Sequence, residues 1–535
     1  MKKLTVLFAD FKNTLPFEKV FDGFSAFDRS IQWALSCKSD EILILSNDFS
    51  LANPDFPVKN GGKYKIISDD NWTCKKVLDC LCSEIQSDIS CTVFLAFADC
   101  PFLSQNLTES LLENHLESRA EYTFAEGYPY GFSPEVFDSG LLKILKAVAE
   151  GNLNISPEES FTREGLFKLM KGDLNSFEIE TCLSKKDFRL LRYSFECSSK
   201  ASLTACKRLF NETLKTGETK INLSAPALFD VEEVSSFASS VPSIQMTLPF
   251  YYDIQLSSSS TLKSIYKPEE KILSAFGKNQ NSNMSFKNFC TLIEKIHGFS
   301  EECVVGLSLF GEPFLHPDIF AIIEKILSYP EISIFIETDG LSLNNENIGL
   351  LSQIIKTSGR KNSVDFAVRL DAFSGSMYEK INGLEKKYFD YALNSVELLQ
   401  KEFAGHVYPQ FTRIKENESE LESFYRFWSK KDSPSGGKLV IMKYDSFAGF
   451  LEDKKPADLS PLERNCCWHL RRDLCILADG SVPLCRARLS EISGNAITGE
   501  LSEIWVSRIK EVENHINKSY CECCRNCDEY YTFNF

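Results

Sequence analysis

From about residue 246 to residue 450 the chain keeps a regular beat, a short apolar run followed by a longer stretch of helical periodicity. The strand signal falls at Phe250–Leu256, Cys303–Leu309, Ile332–Glu337, Val364–Leu370, Val407–Thr412 and Lys438–Tyr444. Helical patterns fill most of the gaps, at about 285–297, 317–328, 345–357, 387–402 and 418–430. Strands joined through helices run parallel, because a crossover is needed to bring the chain back to the same edge. Six such units predict a parallel, partly open (βα)6 barrel over residues 246–452.

Residues 1–215 alternate in the same way at looser spacing, with strands at Leu4–Ala9, Glu41–Leu45 and Thr92–Phe97 and helices at about 25–36, 74–86 and 107–118. This is the pattern of an open α/β domain of Rossmann type, in which ligands sit beyond the carboxyl ends of the strands. Asp99, in Ala98-Asp99-Cys100-Pro101-Phe102, stands at such an end. Residues 216–245 are rich in Ser, Ala and Val and read as a connector. The apolar start is broken at Asp10 and Lys12 and reads as a buried first strand rather than a secretory leader. No run reaches the roughly 18 apolar residues that would span a membrane. A net charge of −16 repels a phosphate backbone and argues against nucleic-acid partners, while leaving room for a small or nucleotide-linked ligand in a local pocket. The expected location is cytoplasmic, with no membrane partner.

Of 19 cysteines, eight fall in the last 70 residues: Cys466, Cys467, Cys475, Cys485, Cys521, Cys523, Cys524 and Cys527. The others are scattered singly, mostly inside apolar patterns, as small buried hydrophobes would be. In a reducing compartment a cluster of thiols points to metal rather than to disulfides. Leu474–Leu477 reads as a strand, Asp479-Gly480 as a tight turn, and Val482 as the start of a return strand. That hairpin would carry Cys485 back toward Cys466 and Cys467, while Cys524-Arg525-Asn526-Cys527 forms a knuckle. Four thiolates from these two places suit one [4Fe–4S] cluster. A structural zinc ion is the alternative, although zinc ribbons usually present two CxxC knuckles and the first half here is Cys467-x17-Cys485.

Cys467, twelve intervening residues, Gly480, four more and Cys485 resembles the opening signature of SPASM domains, the auxiliary-cluster modules that follow radical SAM barrels. Gly494-Asn495, Leu501-Ser502-Glu503-Ile504-Trp505 and Cys521-x2-Cys524-x2-Cys527 are similar to later parts of the same module. The resemblance implies an iron–sulfur domain over 453–535 with Cys467, Cys485, Cys524 and Cys527 as ligands and Cys466 and Cys521 as spares. A two-cluster module would need cysteines after the knuckle, and none of the eight residues after Cys527 is one, so a single cluster is expected. Cys475, close to the turn, is expected to face the core.

The barrel in turn resembles the radical SAM superfamily. Gly311-Glu312-Pro313 after the second strand is similar to its GEP motif, whose backbone binds the amino group of S-adenosyl-L-methionine. Glu337-Thr338-Asp339-Gly340 and Leu370-Asp371-Ala372 with Tyr378, Ile381 and Gly383 look like the segments after the third and fourth strands. The Cys-x3-Cys-x2-Cys triad that should follow the first strand is replaced by Ser260, Ser264 and Lys267 at the same spacing. Two hydroxyls and an ammonium are no substitute for three thiolates, so reductive cleavage of S-adenosyl-L-methionine is not expected.

Ala98–Phe102 resembles the A-D-x-P-F segment of nucleotidyltransferases with a GT-A-like fold, in which the Asp holds a divalent metal; Gly23–Ser30 and Lys19 are similar to their helix start. Their glycine-rich phosphate loop is absent from Phe8–Asn13. The order of the three parts resembles the spirochaetal spiro-SPASM proteins. Three readings follow: an iron–sulfur protein with a degenerate radical SAM motif, binding S-adenosyl-L-methionine or a nucleotide-linked ligand without radical cleavage; an active radical SAM enzyme on a nucleotide-linked or cell-surface substrate; or a nucleotidyltransferase with an accessory iron–sulfur domain.

Overall fold

A computed structural model describes residues 2–56, 64–85, 90–151, 159–224, 228–277 and 282–532. The chain divides into two units, Met1–Thr247 and Leu248–Phe535.

The first unit is built on β1 (Lys2–Ala9), β2 (Glu41–Ser46), β3 (Lys65–Ser68), β4 (Cys91–Phe97), β5 (Tyr122–Glu126), β6 (Glu135–Asp138) and β7 (Ile179–Leu183). They form one mixed sheet in the order β3-β2-β1-β4-β6-β5-β7. The first four strands are mutually parallel, and β6 runs antiparallel to β4 and β5. Successive residues of β1 point to opposite faces, and both faces are covered. Leu4, Val6 and Phe8 pack with Val77, Leu81 and Leu145, whereas Leu7 and Ala9 pack with Phe27 and Trp33. A strand buried on both sides loses polar alternation, which is why its sequence is a continuous apolar run. The helix Ala26–Ser36 starts at a reciprocal cap between Ser25 and Asp28.

Residues 216–245, expected as a connector or a docking segment, lie within this unit. The helices Val231–Ser240 and Pro242–Gln245 place Val234, Ala238 and Ile244 in the same core as Phe132 and Phe210. Ser-rich helices hide their apolar stripe when hydroxyls interrupt it, and Ser235 is satisfied by donating to Val231 O of its own helix.

The second unit contains β8 (Tyr251–Ile254), β9 (Cys303–Leu307), β10 (Ile332–Thr338), β11 (Val364–Arg369), β12 (Val407–Arg413) and β13 (Val440–Lys443). These are the six anticipated strands, paired in chain order and all parallel. A seventh, β14 (Asp473–Ile476), joins the free edge of β8 with Asp473 opposite Tyr251 and Ile476 opposite Ile254. The expected hairpin is therefore corrected. The turn is present, closed by Leu477 N–H on Ser481 O at 2.9 Å. The return strand β15 (Ser481–Pro483) ladders with β16 (Ile492–Asn495), because β14 already spends one edge on the barrel sheet.

Gly311 shows how tightly the loops at the sheet mouth are set. Its φ is +79°, and a Cβ there would stand 1.9 Å from Ser257 O. Gly349, inside the helix Asn345–Ser358, has open space instead. Gly311→Ala is expected to lower stability by about 3 kcal/mol, while Gly349→Ala raises it by up to about 1 kcal/mol, in urea unfolding followed by circular dichroism.

Candidate functional site

The loop after β8 carries the three triad positions. It is pinned on both sides: Ser258 N–H donates to Ser282 O, Glu312 N–H to Ser259 O, Lys263 N–H to Asn382 O, and Ile265 N–H to Ile381 O. The loop is thus held by the GEP-like turn and by the helix Gly375–Asn382, two segments singled out in the sequence. Its side chains are spent separately. Ser260 Oγ donates to Leu262 O, and Ser264 Oγ accepts from the backbone of Tyr266 and Lys267. Lys267 Nζ lies 3.4 Å from Glu269 and 3.6 Å from Glu337. These residues do not fit a cluster that needs three thiolates.

Beyond the loop is a buried charge network that sequence reasoning did not assemble. Arg369, 2% exposed, stands 3.7 Å from Glu269, 3.8 Å from Glu312 and 3.7 Å from Glu337. Each acid comes from a different element, so no local spacing could announce the group. Glu312 accepts from Thr338 Oγ1 and from Asp339 N–H, both at 2.7 Å, which ties the GEP-like turn to the Glu337–Gly340 segment. Among the described residues, Glu269 Oε1 and Asp339 Oδ2 are buried without a hydrogen-bond partner. A cavity of about 760 Å³ opens beside this network, lined by Ser258–Ser260, Lys263 and Glu269 among others.

Burial, with the neighbouring charge of Asp339 next in size, pushes the Glu312 carboxyl up to about 8. The folded protein then keeps a proton that the unfolded chain releases near the ordinary value of 4.5. This contribution to stability is complete below that value and is lost as pH rises through about 8. Urea midpoints at pH 5.5 and 8.5 should fall with pH in the native protein, and Glu312→Gln should flatten the difference.

In the tail, the thiol groups expected as ligands come into one neighbourhood. Cys467 lies near Cys485 and Cys527, and Cys485 near Cys524, close enough that each charge would oppose the next. Burial pushes the Cys467 thiol up to about 12 and raises Cys485, Cys524 and Cys527 as well. Backbone N–H groups of Leu470 and His469 favour ionised Cys467, those of Ala487 and Arg488 favour ionised Cys485, and Glu529 N–H reaches Cys527 Sγ at 3.4 Å. Arg488 Nη1 lies 3.7 Å from Cys524 Sγ. These thiols are half-buried, and the N–H groups around them favour their ionised form.

The remaining tail cysteines sort themselves. Cys475 is buried in an apolar cluster with Tyr266 and Leu477, as expected. Cys466 adjoins Cys467, and Cys521 accepts from Cys524 N–H at 3.5 Å. Arg508, 2% exposed, donates to Asp473 O and Leu484 O and so clasps the start of β14 to the residue before Cys485. Gly494 packs against Ile504 of the helix Leu501–Ser507, and Trp505 is buried beneath it. Glu511 and His515, missed in the sequence, meet Cys524 with their ligand atoms all within 4.8 Å; an i, i+4 pair on one helix face was the available signal. Tyr530 is buried, and residues 533–535 of the terminal aromatic run lie outside the described residues.

In the first unit Asp99 does sit just past the end of β4, but it is not free to hold a divalent metal. Arg163 pairs with Asp99 Oδ2, with Glu196 at 2.9 Å and with Tyr130 Oη at 2.7 Å, and its guanidinium lies 4.5 Å from the Phe97 ring. Cys100 Sγ takes the other Asp99 oxygen at 3.7 Å. Lys19 pairs with Asp55. Arg163 thus places a positive charge beside Asp99, where the resemblance would put a divalent metal.

No protein-family model matches the chain. An uncharacterized protein of Treponema pallidum (strain Nichols) is 34% identical over 383 residues, which is 70% of this chain and 100% of that protein. Among solved structures, Streptococcus suis SuiB bound to S-adenosylmethionine gives a TM-score of 0.39 at 13% identity, covering 57% of this chain and 78% of SuiB. A cytidylyltransferase from Leptospira borgpetersenii gives 0.36 at 15% identity, covering 46% of this chain and 96% of that one. Likeness at this level leaves function to be argued from the residues themselves.

Proposed function

The chain belongs to the family of the uncharacterized Treponema pallidum protein, and we propose that it is an iron–sulfur protein of the radical SAM/SPASM type whose barrel no longer performs radical chemistry. One observation carries the reading: Cys467, Cys485, Cys524 and Cys527 are half-buried in one neighbourhood, with N–H donors at their sulfurs. These four would hold a single [4Fe–4S] cluster, which supplies one-electron chemistry when bound. The spacing along the chain supports iron–sulfur over zinc: zinc ribbons usually present two CxxC knuckles, whereas the first half here is Cys467-x17-Cys485.

What this chain's own residues do follows from the geometry. Arg488 and the backbone donors stabilise thiolates; Arg508 fixes the backbone on either side of β14. At the sheet mouth, Glu269, Glu312 and Glu337 face two cations, Arg369 and Lys267, with Asp339 against Glu312. Glu269 lines the cavity and its Oε1 is an open acceptor among the described residues, which suits a ligand with a positive N–H group; S-adenosyl-L-methionine, with its ammonium, is the one we propose beside the Gly311-Glu312-Pro313 turn. Lys267, tied to Glu269 and Glu337 where a cluster thiolate would be, supports binding without reductive cleavage. The occupied carboxylate of Asp99 weighs against a nucleotidyltransferase.

Anaerobic reconstitution should give about four irons and four sulfides per chain. Each of Cys467→Ser, Cys485→Ser, Cys524→Ser and Cys527→Ser should lower that count, and reduction with S-adenosyl-L-methionine should yield no 5′-deoxyadenosine. Eight irons, or 5′-deoxyadenosine from the loaded protein, would overturn the account of the barrel; zinc as the sole metal would overturn that of the tail.

A further inference from the structure

We infer that His515 is a positioning residue of the tail site: its Nδ1 anchors the backbone of Cys467 while its Nε2 hydrogen is directed toward the sulfur of Cys524, which joins the two halves of the thiol set and raises the reduction potential of what they hold. The inference rests on the cluster reading above and extends it to a residue outside the ligand set.

His515 is 2% exposed on the helix Ile509–Ile516. Its Nδ1 accepts from Cys467 N–H at 3.3 Å. A backbone amide can only donate, so Nδ1 uses its lone pair there and the neutral ring carries its hydrogen on Nε2. That nitrogen is buried and has no hydrogen-bond partner among the described residues. It lies 3.8 Å from Glu511 Oε1, and the ligand atoms of Glu511, His515 and Cys524 are all within 4.8 Å of one another. The composition of this trio is that of a metal site, yet the tautomer argues against one, because a protonated Nε2 has no lone pair to offer. It is a donor without a partner among the described residues, set 3.8 Å from Glu511 Oε1, and the same oxygen lies 3.8 Å from Cys524 Sγ, which places the sulfur within reach of a small shift. Tyr520 packs edge-on against the ring at 4.9 Å and fixes its plane.

Glu511 would repel a thiolate at Cys524, but Arg488 pairs with Glu511 and lies against the same sulfur. His515 thus adds an uncharged donor on a second side. Hydrogen bonds to cluster sulfurs favour the more negative, reduced state and move the potential upward.

The test uses the full chain, reconstituted with iron and sulfide, as native protein, His515→Ala and His515→Gln. Iron and sulfide are counted, and a redox titration is followed by electron paramagnetic resonance. His515→Ala should keep the cluster and shift its midpoint to a more negative potential, and His515→Gln, which retains an N–H of similar reach, should recover part of the shift. Should His515→Ala fail to load, His515→Asn, which keeps an acceptor for Cys467 N–H, gives the same comparison. Unchanged potentials in fully loaded variants overturn the inference while leaving the cluster intact. Loss of iron from all three variants would make His515 a ligand and overturn the donor role. A native protein without iron would sink the parent reading instead.

Discussion

The pairing of β14 with β8 is the constraint on which the second unit depends. It adds the tail to the barrel sheet as a seventh parallel strand and sets its register residue by residue. Cys467 lies a few residues before this strand and Cys485 a few after the turn that follows it, so the strand fixes the span between them. Arg508 holds that span from below through two main-chain carbonyls at opposite ends. Because a buried guanidinium is costly unless its donors are used, such a clasp is also a strong orienting device.

The same pairing brings tail and barrel mouth into one apolar cluster, where Cys475, Leu477 and Leu489 meet Tyr266, Phe310 and Tyr444. The loop after β8, with Ser260, Ser264 and Lys267, is consequently well packed. Its serines are satisfied within the loop, and Lys267 turns to acids already assembled around Arg369. A buried charge persists only when paired, and this network pairs each cation with more than one acid. The first unit handles Asp99 in the same way, through Arg163. In both places a carboxylate cluster is held by a protein cation.

Much of the fold was legible in the sequence because its signals are local. The six barrel strands and the helices between them follow from periodicity, and the GEP-like turn and the Asp339-Gly340 segment are short motifs whose geometry depends on a few adjacent residues. The nineteen cysteines could be sorted into scattered and clustered sets by spacing alone. Helices 231–240 and 242–245 were hidden by serines, and short strands such as β5 and β6 by their length.

The sequence by itself determined a parallel βα architecture, a thiol-rich tail and the absence of three thiolates at the mouth, because each is a matter of residue type and near-neighbour spacing. Only the tertiary structure decided that β14 joins the barrel edge, that Arg163 pairs with Asp99, that three glutamates surround Arg369 and Lys267, and that His515 meets Cys467 and the neighbourhood of Cys524. These depend on which distant segments share a desolvated space, where hydrogen bonds and charge pairing must be completed across the fold.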